Sequence, residues 1–211
     1  VVEQPKKAAW LSLFKYRSVW AFLIASMLAS PAWTFYQLFI ADFFQKQFHL
    51  TLLQTGFWTG GFFFLTAIGG IGGGWLAGAL MKRGWRVDSA RKLSLFVCAL
   101  CVLPVFTAPF AGSILTAVLI VGLAGAAHQG WSANLFSVVS DNMPREVVSS
   151  VIGLGGFVCY FTGGYVSHVT GHILQVTGSY VPVFVYFSGM YLISMLAIYF
   201  LVPKTKTGAA A

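Results

Sequence analysis

The residues able to do chemistry concentrate in one run, Ala127-His128-Gln129-Gly130-Trp131-Ser132-Ala133-Asn134-Leu135-Phe136, set inside a long apolar stretch. At about 100° per residue on a helix, His128, Trp131 and Ser132 share a face, with Asn134 about 60° from Trp131. His, Gln, Ser and Asn supply hydrogen-bond donors and acceptors, while Trp supplies a flat face for a sugar ring or an indole N–H. The same residue types also join membrane helices to one another. The run therefore fits either ligand contact or helix packing. A second set, Trp33, Phe35, Tyr36 and Gln37, follows Pro31. It suits ligand contact or an aromatic anchor at a membrane interface.

Covalent chemistry finds no matching arrangement. The five acids, Glu3, Asp42, Asp88, Asp141 and Glu146, all fall at the ends of apolar stretches or between them. No carboxylate pair, phosphate-cradling loop or nucleophile with an adjacent base is visible, so the expectation is a protein that is not an enzyme. Cys98 and Cys101 form C-x-x-C, but on an apolar helix without His or Asp beside them, and read as core thiols. His168 and His172 stand at i, i+4 without further metal ligands and read as polar lining. No cofactor or metal is expected. A proton relay of the buried-carboxylate type has no place here, which leaves His128 as the mid-stretch group that ordinarily titrates near neutrality.

The elements that must position these residues are membrane spans. Hydrophobic residues make up 58% of the 211, and charged residues only 9%, against about 25% charged in an average soluble domain. A span needs about 20 mostly apolar residues, and six stretches qualify: Ser18–Phe44, Thr55–Met81, Leu93–Phe110, Ser113–Val139, Val147–Gln175 and Tyr180–Val202. They are apolar all round rather than alternating, so they read as helices and not as barrel strands. Residues 1–17 form a basic interfacial segment, with a short surface helix over Lys7–Arg17. Residues 203–211 form a polar tail.

Twelve of the 13 lysines and arginines then fall on one side, with Lys46 alone on the other. By the positive-inside rule both termini are cytoplasmic. The net charge of +8 is thus a matter of topology, and nucleic acid is not an expected partner.

Glycine marks where helices either pack closely in place or slide against a partner surface. Gly70, Gly74 and Gly78 recur every fourth residue in the second span, beside the pair Gly69 and Gly73, and the fifth span carries Gly153, Gly155, Gly156, Gly163 and Gly164. Small residues at this spacing let helix backbones approach closely in lipid. Both spans stand second in a group of three, which suggests two three-helix repeats of the kind found inside transporter halves. Pro31, Pro104 and Pro109 predict breaks in the first and third spans.

Three motifs carry a family resemblance. The stretch His128 to Phe136, followed by Ser140-Asp-Asn-Met-Pro-Arg and Ser149-Ser-Val-Ile-Gly-Leu-Gly-Gly, resembles the tenth and eleventh helices of hexuronate transporters. These belong to the anion:cation symporter family of the major facilitator superfamily. The segment Gly73 to Lys92 resembles that family's loop between helices eight and nine, and Ser30-Pro-Ala-Trp-Thr-Phe-Tyr resembles helix seven. Gly74, Arg83 and Gly84 keep the superfamily's loop pattern, whereas Gly78-Ala79 stands where Asp-Arg is usual.

The resemblance implies the C-terminal six-helix half of such a transporter, in a bacterial inner membrane, moving a sugar acid with protons by alternating access. His128, Gln129, Trp131, Ser132 and Asn134 would line the cavity with Tyr36 and Gln37 opposite. Gly70, Gly74, Gly78, Gly153 and Gly156, with Arg83 and Gly84, would form the gating seam. The implied partners are the lipid bilayer, a small organic anion, and either an N-terminal six-helix half or a second copy of this chain. A homodimeric transporter of another organic solute, or a membrane assembly module without transport, are the alternatives.

Overall fold

The computed structural model describes residues 13–202, and among these residues all regular structure is helical. Six helices, each long and apolar enough to cross a bilayer, run α1 Arg17–Phe48, α2 Leu52–Lys82, α3 Val87–Val102 with a 3-10 continuation Leu103–Phe110, α4 Ile114–Asn142, α5 Arg145–Thr177 and α6 Val181–Leu201. Most of the basic segment and all of the polar tail lie outside the described residues, as does most of the surface helix expected over Lys7–Arg17.

Local chemistry sets the ends. At the start of α2, Gln54 N–H donates to the Thr51 hydroxyl, and Gln54 Oε1 accepts from Thr51 N–H, closing a capping box. At its end, Gly84 adopts φ +84°, with Trp85 N–H bonded to Leu80 O and Gly84 N–H to Met81 O. This is a Schellman turn, and only glycine enters that left-handed conformation without steric penalty. The α6 carboxyl end receives Arg17 Nη2 on Phe200 O and Lys92 Nζ on Val202 O, cations where the helix dipole is negative.

The prolines act unequally. Pro104 stands where the α-helical part of the third span gives way to the tighter 3-10 segment, since it removes a backbone donor, and Pro109 lies inside that segment. Pro31 does not break α1, which continues through it with the proline buried. The carbonyl that loses its donor to Pro31 is that of Met27, four residues back, and the Tyr191 hydroxyl adds a separate bond from α6 to α1 at the Ala29 carbonyl.

The helices form two rows, a front row in the order α2, α4, α1, α5 and a rear row of α3 and α6. The most extensive contacts are α2 with α4 and α1 with α5, followed by α3 with α4 and α1 with α6. Exchanging the first three helices for the last three maps α2–α4 onto α5–α1 and α3–α4 onto α6–α1. The pairing is that of two three-helix repeats. Central α1 and α4 are the more buried of the front helices, while α2 and α5 expose Phe57, Phe64, Ile71, Trp75, Phe157, Tyr160 and Phe161.

The two glycine stripes of α2 divide between these surroundings. A Cβ on Gly69 would lie 2.2 Å from the Ala126 backbone, and one on Gly73 would lie 2.2 Å from Gly130. The α2–α4 seam is therefore backbone against backbone. One position further on, Gly74 and Gly78 meet nothing within 4 Å, and Gly70 meets only the Gln129 Cβ, at 3.7 Å. In α5, Gly155 receives the Phe22 ring and Gly163 receives Thr34, while Gly153 and Gly156 are open.

Candidate functional site

Central α1 and α4, backed by α6, bring five aromatic side chains to one level. The Trp33 ring lies flat on His128, with centroids 5.3 Å apart and planes within 2°. His128 Nδ1 is 2.5 Å from the Tyr191 hydroxyl. Trp131 meets Tyr191 edge to face at 5.5 Å, and Tyr36 meets Phe62 of α2 at 5.5 Å. Tyr191 has one hydroxyl proton. Donated to Ala29 O, it leaves the tyrosine oxygen to accept from His128 Nδ1–H, which leaves Nε2 as the acceptor of a neutral ring. The Tyr36 hydroxyl and Trp131 Nε1 are buried without a hydrogen-bond partner, an unspent capacity of about 1–3 kcal/mol each.

The residues expected to line one cavity occupy two levels instead. Gln37 is exposed and Gln129 and Ser132 are half-buried at the open side of the front row, while His128, Trp131 and Tyr36 are buried behind them. Asn134 differs most from expectation. It is fully buried, its amide nitrogen donating to Gly73 O and to Gly130 O at 2.9 Å, and its oxygen accepting from Arg91 Nη1 at 3.3 Å. The glycine seam brings the α2 backbone so close that Asn134 becomes a packing residue. A helical wheel of α4 alone could not show this, because it contains no α2.

Tyr191 is a member of the node that the sequence patterns do not single out. A trace of it is there, since Ser188, Tyr191 and Ser194 recur every third position in the otherwise apolar α6, and all three are buried.

An ion pair joins helices at one end and a tyrosine–carboxylate hydrogen bond joins them at the other. At the basic end, Arg91 Nε bonds Asp141 Oδ2 at 3.0 Å, joining the start of α3 to the end of α4. Gly78, at the place of the usual motif acid, faces open space, and Arg83 is exposed beside the Gly84 turn. At the opposite end, the Tyr180 hydroxyl donates to Asp42, which also pairs with Lys46 at 2.9 Å. Burial first, then the hydrogen bond and charge of Asp42, push the Tyr180 hydroxyl above the ordinary tyrosine range. Among the described residues no three His, Cys, Asp or Glu side chains gather as a metal would require, and Cys98, Cys101 and Cys159 are unbridged.

A family model described as Major Facilitator Superfamily matches residues 2–168. The chain belongs to the Major Facilitator Superfamily. It is 27% identical to the D-galactonate transporter of Escherichia coli O6:H1 over 201 residues, covering 93% of this chain and 45% of that protein. It is 25% identical to the probable L-galactonate transporter of Escherichia coli K12, covering 82% of this chain and 38% of the relative. The hexuronate transporter of the same strain is 24% identical, with 94% and 46% covered. The chain thus spans about half the length of these curated relatives. As a major facilitator protein it is a multi-pass membrane protein whose relatives are transporters rather than enzymes, and its sugar-acid transporter resemblance extends over nearly the whole chain.

Proposed function

We propose that this chain is a six-helix half of a secondary transporter that takes up a sugar acid with protons by alternating access. The observation that carries the reading is the polar and aromatic node at the centre of the front row, in a chain similar to galactonate and hexuronate transporters over nearly its full length. Gln37, Gln129 and Ser132 reach substrate from the open side. His128, Trp131 and Tyr36 form the layer behind, where the free Tyr36 hydroxyl and Trp131 Nε1 gain partners as the site closes. Asn134 holds α2 to α4.

Both termini face the cytoplasm of a bacterial inner membrane, as the 12-to-1 division of cations supports. The open glycines Gly70, Gly74, Gly78, Gly153 and Gly156 face the second half of the carrier, either an N-terminal six-helix half or a second copy. The coupling ion is H⁺ and no cofactor takes part.

The test is uptake of labelled D-galactonate or a hexuronate into proteoliposomes under an inward proton gradient. Gradient-dependent accumulation by this chain alone supports a homodimer. Accumulation that needs a six-helix N-terminal half supports a two-part carrier. No accumulation in either case overturns the sugar-acid reading.

A further inference from the structure

A sugar-acid carrier of this kind could take a ring-closed hexuronate or an open-chain aldonate. The half-buried Trp33 ring of α1 bears on that choice. One face lies parallel to the His128 imidazole in an offset stack, and the Phe63 ring of α2 stands at 84° to the indole with centroids 6.2 Å apart. His128 is itself held by Tyr191, and Tyr191 by the Ala29 carbonyl. Three helices therefore fix this indole in place before any ligand arrives, so little rotamer freedom remains to be lost on binding. Trp131, the tryptophan singled out by the helical pattern, is 1% exposed and covered by Tyr191, which leaves it no free face.

Resting on the sugar-acid reading, we propose that Trp33 is the platform on which the sugar ring stacks, and that it makes this chain selective for cyclic hexuronates over linear aldonates. A pyranose presents a flat face of C–H groups that matches an indole, with its hydroxyls directed outward. An open-chain aldonate has no such face. Gln129, next to His128 in sequence, and Ser132, one helical turn further on, put hydroxyl-bonding groups on the accessible part of α4.

The test is calorimetric titration of the full chain, with a six-helix N-terminal half and without it, using D-glucuronate and D-galactonate. Tighter binding of glucuronate is expected, with Trp33→Ala weakening glucuronate at least about tenfold and galactonate less than about threefold. Trp33→Phe keeps a flat ring and guards against loss of folding. It should retain glucuronate binding but lose the ligand-induced change in tryptophan fluorescence, although the other tryptophans of the seven remain. Preference for galactonate, equal weakening of both ligands in Trp33→Ala, or an unchanged fluorescence response in Trp33→Phe overturns the platform while leaving the transporter reading intact. If neither acid binds the unsubstituted protein in either form, the sugar-acid reading falls and the platform falls with it.

Discussion

Tyr191 of the rear row reaches His128 of the front row, its hydroxyl 2.5 Å from Nδ1, and touches the α1 backbone at Ala29 in the same stroke. One side chain from α6 thereby ties together the two central helices. Neither group has water as a substitute partner, since both are buried. Tyr191→Phe strands a buried imidazole nitrogen, an expected loss of about 1–3 kcal/mol. The check is a double-mutant cycle with His128→Leu, read by thermal unfolding in detergent. The double variant should lose clearly less than the sum of the single losses; simple additivity would refute the pairing.

The neighbouring glycines of α2 should respond in opposite ways. Gly73→Ala drives a methyl into the Gly130 backbone, and such overpacking costs about 1–3 kcal/mol or more. Gly74→Ala meets open space, so the better helix former should stabilise the isolated chain by roughly 0.5–1 kcal/mol. Unfolding midpoints of the two variants decide this. Equal effects would require α2 to be turned about its axis, so that both glycines meet α4 alike.

Asn134 and Gln37 separate packing from transport. Asn134→Ala removes a bridge to the Gly73 carbonyl and to Arg91, and should lower stability by about 1–3 kcal/mol. Gln37→Ala, at an exposed position, should change stability by less than about 0.5 kcal/mol while reducing sugar-acid uptake. Melting curves paired with uptake assays test both. Normal uptake by Gln37→Ala would remove that residue from the site.

The clasp between Asp42 and Tyr180 should show in the alkaline limb of the stability curve. A pKa that folding raises contributes stability that is whole below the unfolded value, about 10 for tyrosine, and is lost as pH rises past it. Burial and Asp42 raise that of Tyr180. The deficit of Tyr180→Phe should therefore be constant from roughly pH 6 to 9 and shrink above pH 10. Thermal midpoints measured across that range provide the check, and a deficit that grows with pH would contradict the clasp.

Much of the fold is legible in the sequence because lipid imposes simple rules. Six apolar stretches correspond to six helices, with ends shifted by a few residues where caps such as Thr51 and Gly84 set the true limits. The grouping in threes is visible from the glycine-rich second and fifth spans, and the symmetric helix contacts agree with it. Pro31 reads as a break and is not one, because sequence shows the missing donor and not the packing that buries the proline inside a continuous helix. The site is legible only as a composition. His128, Gln129, Trp131, Ser132 and Asn134 stand out as a polar run, but nothing in the run tells which of them stay accessible.

Sequence alone determined what this chain is made to dwell in, since apolar length and the placing of 13 cations depend on transfer to lipid and not on partners. The tertiary structure decided how the polar residues are used. Gly69 and Gly73 draw α2 onto α4 and consume Asn134, and Tyr191 arrives from α6 to hold His128 under Trp33. Such roles follow from contacts between segments 60 or more residues apart, set by close packing across three helices at once. No periodicity within a single helix contains that information.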